Sequence, residues 1–304
     1  MKIKSFLNIL SASVMMLSLH AGAQSINVPP QQPSSSFLPI KMSPDLSKKG
    51  FFNTDAEWFV SLGFNKTYYQ NSDIYVSQPS LGNNFTVNSV QGHDEYKPPG
   101  LRSPDNIRIG RFIDDQKKWG IDLSLDHDKF TSTVGQTALV TGTMGANVNN
   151  NPNYLGLGSQ QLTAQTFSYM LHNGLNHLMV DVVYRRPLIG EIADSSSLSF
   201  IGKIGTGVAI VHPYNEISGS ENDVGAKTLS NVMGFNSGWW RIVGTSTGVE
   251  LGFRYVVKKP IYLELTNKQI FTEMNNIPVN VGSASQKLVS NQYILSLGYE
   301  FGGK

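Results

Sequence analysis

The chain has 304 residues, a formal charge of +2, 29 glycines and no cysteine. The missing cysteines exclude a disulfide framework, a thiolate nucleophile and any Cys-based metal site. The small net charge supplies no electrostatic footprint for nucleic acid, and long stretches rich in Asn, Ser, Gly and Gln suit loops and strands better than helices.

The N-terminus reads as a secretory signal peptide over residues 1–23. Lys2 and Lys4 precede an apolar run from Phe6 to Leu19, and Ala21-Gly22-Ala23 forms a small-x-small cleavage site, so the cut is expected after Ala23. Gln24 follows and cannot carry a lipid. Residues 24–55 contain Pro29-Pro30, Gln31-Gln32-Pro33 and Ser34-Ser35-Ser36 with little apolar periodicity, and are expected to form a flexible leader. Beyond residue 23 no stretch approaches the roughly 20 apolar residues that a transmembrane helix requires.

From Glu57 onward, segments of strict alternation recur, the pattern of strands with one face in lipid and one toward a polar lumen. Trp58, Val60, Leu62 and Phe64 form the outward set of the first segment. Ile107, Ile109 and Ile113 form that of the second, with Arg108 and Gly110 inward, and Asp114 to Lys118 makes a polar turn. The third sets Trp119, Ile121, Leu123 and Leu125 against Gly120, Asp122, Ser124 and Asp126. The fourth sets Leu178, Val180, Val182 and Tyr184 against His177, Met179, Asp181 and Arg185, with Pro187 expected to end it. The fifth opposes Phe200, Ile204, Val208 and Ile210 to Lys203, Gly205 and Gly207, glycines suited to a curved wall. The sixth (Val249, Leu251, Phe253, Tyr255, Val257) and the seventh (Ile261, Leu263, Leu265) flank Lys258-Lys259-Pro260 as a hairpin, with Tyr262, Glu264 and Thr266 inward. The eighth runs from Asn291 to Phe301.

Tyr293, Leu295, Leu297, Tyr299 and Phe301 alternate along that last segment, which resembles the C-terminal assembly signal of bacterial outer-membrane barrels, although Gly302-Gly303-Lys304 follows the usual terminal aromatic. The resemblance is to small OmpA-type barrels over residues 56–301. It implies an all-β antiparallel transmembrane barrel in the outer membrane, with outer-membrane lipid and the barrel assembly machinery as partners. Eight strands are expected, and Phe85–Val90 and Thr163–Leu171 offer hairpins that would raise the count to 10 or 12.

The connections alternate in length. Those at 68–105, 131–176, 212–246 and 272–290 are long, and those at 114–118, 187–197 and 258–260 are short. Long extracellular loops and short periplasmic turns alternate in this way in outer-membrane barrels. The expected domains are therefore signal peptide 1–23, leader 24–55 and barrel 56–304.

A turn centred on Lys259 sets Arg254 opposite Glu264 and Glu250 opposite Lys268, and a register with Asp181 opposite Lys203 fits the 187–197 turn. Three complementary pairs predict an interlocked lumen, since an eight-stranded barrel is just filled by side chains. If Arg254 and Glu264 face each other, exchanging their two charges should recover much of the stability that a single replacement loses.

No catalytic residue is assigned. The one tempting constellation is Ser168, His172 and Asp181, types that could serve as nucleophile, base and orienter in acyl transfer, but the His-x-Ser-Asn arrangement of barrel deacylases is absent and Asn173-Gly174 reads as a hairpin turn. No histidines stand at metal-motif spacing. His127 with Asp126 and Asp128 reads as solvated loop charge, and Gly202 to Gly207 precedes no helix, so neither metal nor cofactor is expected. Tyr68, Tyr69, Trp119, Tyr184, Trp239, Trp240, Tyr262 and Phe301 fall near strand ends as interfacial girdles, with carbohydrate stacking an alternative for Trp239-Trp240. The expected role is a structural, surface-interaction or adhesion barrel whose long loops meet a surface ligand. A lipid A- or phospholipid-modifying enzyme and a narrow pore are the alternatives.

Overall fold

The computed structural model describes residues 57–95, 104–147, 150–192, 194–223 and 240–302, the side chains at 172, 173 and 223 apart. The signal peptide and the leader lie outside the described residues. The strands are β1 Glu57–Tyr69, β2 Ser72–Gln78, β3 Asn83–Val90, β4 Gly92–His93, β5 Asn106–Phe112, β6 Trp119–Ser132, β7 Thr137–Thr143 and β8 Gly158–Gln161. They continue with β9 Phe167–Ile189, β10 Leu198–Val211, β11 Tyr214–Ile217, β12 Ser220–Asp223, β13 Arg241–Lys258, β14 Ile261–Val279 and β15 Gly282–Gly302.

Every pairing is antiparallel, and β1, β5, β6, β9, β10, β13, β14 and β15 pair in that order before β15 returns to β1. The closing seam runs the full length of β1, from Glu57 opposite Gly302 to Tyr69 opposite Ser290. Closure leaves the ring without an unpaired edge. The alternating apolar residues lie on its outside: Leu62, Ile107, Ile109, Leu123, Val180, Val182, Ile204 and Leu263 are all exposed, Ile204 at 62%. Tyr293, Leu295, Leu297, Tyr299 and Phe301 form the outer row of the closing strand.

Three short turns lie at one end of the ring, between β5 and β6, β9 and β10, and β13 and β14. At the other end the chain builds further sheet. β15 continues past β1 to pair with β2, followed by β3, β7 and β8, while the start of β9 pairs with β11 and β11 with β12. The connections expected as long loops at 68–105, 131–176 and 212–246 therefore contain strands. The one expected at 272–290 is no loop: β14 and β15 run on to a turn at Asn280-Val281. Pairing continues along both arms to Val279 opposite Gly282, with a bulge at Asn275-Asn276 that interrupts the alternation of β14. Phe85–Val90 and Thr163–Leu171 contribute to β3 and β9 in this extension and add no strand to the ring.

Pro187 does not end β9, which runs on to Ile189. The proline lies opposite Ser199 beside a register shift at Leu198, a place where a residue without an N–H is tolerated.

Candidate functional site

The inner face changes chemistry along each strand while its period of two is kept. On β6 the inward series Asp122, Ser124, Asp126, Asp128 gives way to Phe130; on β14 Glu264, Thr266, Lys268 gives way to Ile270 and Met274. On β9 the same change falls between His177 and Leu175. Charged groups consequently fill the ring's interior, and apolar side chains fill the extension above it.

The charged groups form one ladder. Arg185 Nη1 donates to Glu300 Oε1 (2.9 Å), as does Arg254 Nη1 (2.9 Å), and Arg254 Nε donates to Glu264 Oε2 (2.9 Å). Lys203 Nζ donates to Glu264 Oε1 (2.8 Å) and lies 3.3 Å from Glu250 Oε1. Arg108 Nη1 donates to Glu250 Oε2 (2.7 Å) and its Nη2 to Asp126 Oδ1 (3.3 Å), and Lys268 Nζ donates to Asp126 Oδ2 (2.5 Å). Cation and anion alternate from Arg185 to Lys268, and all of these side chains are buried. Charges taken out of water persist only when paired and hydrogen-bonded, the condition this ladder meets.

Below the ladder Phe59, Phe112, Val183, Ile201, Val256 and Tyr262 form an apolar cluster around Arg254, whose guanidinium lies 4.0 Å from the Tyr262 ring centre. Above it Asp128 accepts from Asn65 Nδ2 (2.8 Å), Thr67 Oγ1 (2.6 Å) and Gln292 Nε2. The apolar layer that follows includes Phe130, Leu171, Leu175, Met274 and Leu288.

The structure sets Arg254 opposite Glu264 and Glu250 opposite Lys268. The first two bond directly, whereas Glu250 turns to Arg108 and Lys203, and Lys268 to Asp126. The third expected pair is corrected. Lys203 lies opposite Val183, and Asp181 lies opposite Gly205 and accepts from Ser124 Oγ (2.6 Å). Because β9 runs through Pro187 to Ile189, its pairing with β10 is displaced by two residues from the expected register, which leaves both side chains facing inward.

The acyl-transfer constellation is not assembled either. Ser168 and Asp181 belong to one strand, 13 residues apart, which at about 3.3 Å per residue separates them by roughly 40 Å. The His172 side chain lies outside those described. His177 is instead the histidine of the interior: its Nδ1 is 2.8 Å from Ser246 Oγ and its Nε2 is 3.5 Å from Asp128 Oδ2. All three are buried between the ladder and the apolar layer.

His127 points the opposite way from Asp126 and Asp128, with its Nδ1 2.7 Å from Asn176 Oδ1, because alternation puts neighbours on opposite faces. Among the described residues no group of three or more His, Asp or Glu is arranged to hold a metal. Of the expected girdle, Trp119, Tyr68 and Phe301 are exposed, while Tyr262 is corrected to the interior, being on the inward parity of β14. Tyr184 packs against Trp119 and Tyr69 against Phe130. Trp239 lies outside the described residues, and Trp240 is half-buried.

No family model matches the chain, and no curated protein matches it in sequence. Its structural neighbours are small outer-membrane β-barrel proteins. They include Ail, the attachment invasion locus protein of Yersinia pestis, at 11% identity and a TM-score of 0.33, covering 81% of this chain and 99% of that one. OprG from Pseudomonas aeruginosa shows 14% identity and a TM-score of 0.37, covering 82% and 98%. The outer-membrane protease OmpT from Escherichia coli shows 9% and 0.35, covering 84% and 100%.

The sequence gives no separate sign that Arg108, Asp126, Arg185 and Glu300 belong to one network. Their inward parity was readable; the partners Glu250 of Arg108, Lys268 of Asp126 and Glu300 of Arg185 were not, because those contacts join strands that are not consecutive in the chain.

Proposed function

We propose that the chain is an eight-stranded outer-membrane barrel with a closed lumen, working through the sheet extension at the end opposite the three short turns. The observation that carries this reading is the continuous ion-pair ladder capped by an apolar layer, which leaves the outside of the molecule as its working surface. The outward apolar belt matches a lipid-facing wall, and placing the extension outside the cell leaves the short turns in the periplasm.

The extension is suited to contact. β2, β3, β7 and β8 carry one charged residue, Asp73, and otherwise Ser, Thr, Asn, Gln, Gly and apolar side chains. Such a surface meets a partner through hydrogen bonds and apolar contact, the role expected of a surface-interaction or adhesion barrel. The outward row Tyr293 to Phe301 on the closing strand is the part offered to the assembly machinery.

The test joins two measurements on the mature protein. A planar bilayer containing it should show no stepwise conductance, and cells displaying it should bind a host surface more than cells carrying a variant lacking residues 137–161. Stable conductance steps from the wild type, or equal binding by the two strains, would overturn the reading.

A further inference from the structure

Outside the lumen, the seam between β1 and β15 carries a cleft of about 380 Å³ lined by Tyr68, Asn291 and Tyr293. The cleft is shallow and largely open on its outer side. Tyr68 lies opposite Asn291 and Lys66 opposite Tyr293, so all four project from the outer face just above the apolar row that begins at Leu295.

The two rings stand at 86° with centres 6.1 Å apart, forming a corner. Tyr68 and Tyr293 are 58% and 42% exposed, as the rest of the outer wall is. Asn267 Nδ2 donates to Asn291 Oδ1 (2.6 Å) and to Gln292 O (3.2 Å), which fixes the Asn291 amide and leaves its NH2 group as a donor. Lys66 Nζ lies 5.8 Å from the Tyr68 ring centre and 3.6 Å from Asp94 Oδ2. The corner itself offers the two ring faces and the Asn291 amide.

We propose that this cleft binds a pyranose ring, its apolar C–H face against a tyrosine and a hydroxyl on the Asn291 amide. A ring and an amide together match a sugar, which has an apolar face and a polar rim. The height of the cleft rests on the membrane placement proposed above, and it admits two sources of the same chemistry: the headgroup of an outer-leaflet glycolipid, or a soluble saccharide.

The experiment uses the folded mature protein and two probes. Saturation-transfer NMR with an unacylated, unphosphorylated glucosamine disaccharide tests the soluble source. Retention of lipid A against phosphatidylethanolamine in nanodiscs, read by native mass spectrometry, tests the lipid source. Binding in either arm should fall about tenfold in Tyr293→Ala and in Asn291→Leu, the loss of one stacked ring or one amide contact, while Tyr68→Phe retains it. These positions face outward, and unchanged heat-modifiable migration verifies folding. Absence of binding in both arms by folded wild-type protein, or equal binding by Tyr293→Ala and Asn291→Leu, would overturn the proposal. A protein absent from the outer-membrane fraction would overturn the membrane reading alone, since the disaccharide arm needs no membrane.

Discussion

Replacing Arg254 by methionine removes a cation that links two carboxylates of the ladder while keeping most of its bulk. Arg254 is bonded to both Glu264 and Glu300 and is enclosed by Phe59 and Tyr262. Breaking a buried ion pair by removing one partner costs about 3–5 kcal/mol. Each bereaved carboxylate keeps a second cation, Lys203 on Glu264 and Arg185 on Glu300, which places the expected loss near the lower bound, about 3 kcal/mol, or roughly a hundredfold in the folding equilibrium. Arg254→Glu combined with Glu264→Arg should not recover it. The exchange sets a carboxylate at 254 beside Glu300 and a guanidinium at 264 beside Lys203, so both replaced charges meet their own sign. Urea unfolding of the vesicle-folded barrel, followed by tryptophan fluorescence, measures both variants. Recovery by the exchanged pair to within about 1 kcal/mol of wild type would show an isolated pair, of the kind that contributes little when exposed, and would refute the ladder.

Gly207→Ala should destabilise the barrel by about 1–3 kcal/mol in the same assay, the usual cost of overpacking, because a Cβ there would lie 1.9 Å from the Leu178 carbonyl oxygen. Phe130→Ala should cost about 3–5 kcal/mol by opening a cavity in the apolar layer, yet bilayers should stay non-conducting because the ladder beneath it remains; channel activity in this variant would place the seal in the apolar layer alone. An epitope inserted after Val281, at the tip of the β14–β15 hairpin, should be labelled on intact cells, and one at Lys259 should not. Labelling at Lys259 would invert the orientation.

Alternation along the chain was sufficient to place the strands of the ring and the faces of their residues: Trp58 to Phe64 and Tyr293 to Phe301 show it directly, because a strand turns successive side chains to opposite sides and only one side suits lipid. The facing of Arg254 and Glu264 across their hairpin was readable for the same local reason, since a tight turn fixes register. Three things waited for the tertiary structure. The continuation of β9 through Pro187 displaced Lys203 from Asp181 by two residues, and a displacement of two preserves every inward and outward assignment, so alternation cannot detect it. Stretches that read as polar loops became the β2–β3–β7–β8 sheet: β2 and β3 form a local hairpin, but their outer partners β15 and β7 lie far away in sequence. The ladder itself joins β5 to β13 and β6 to β14 across the lumen, where distance is decided by ring closure and not by separation along the chain.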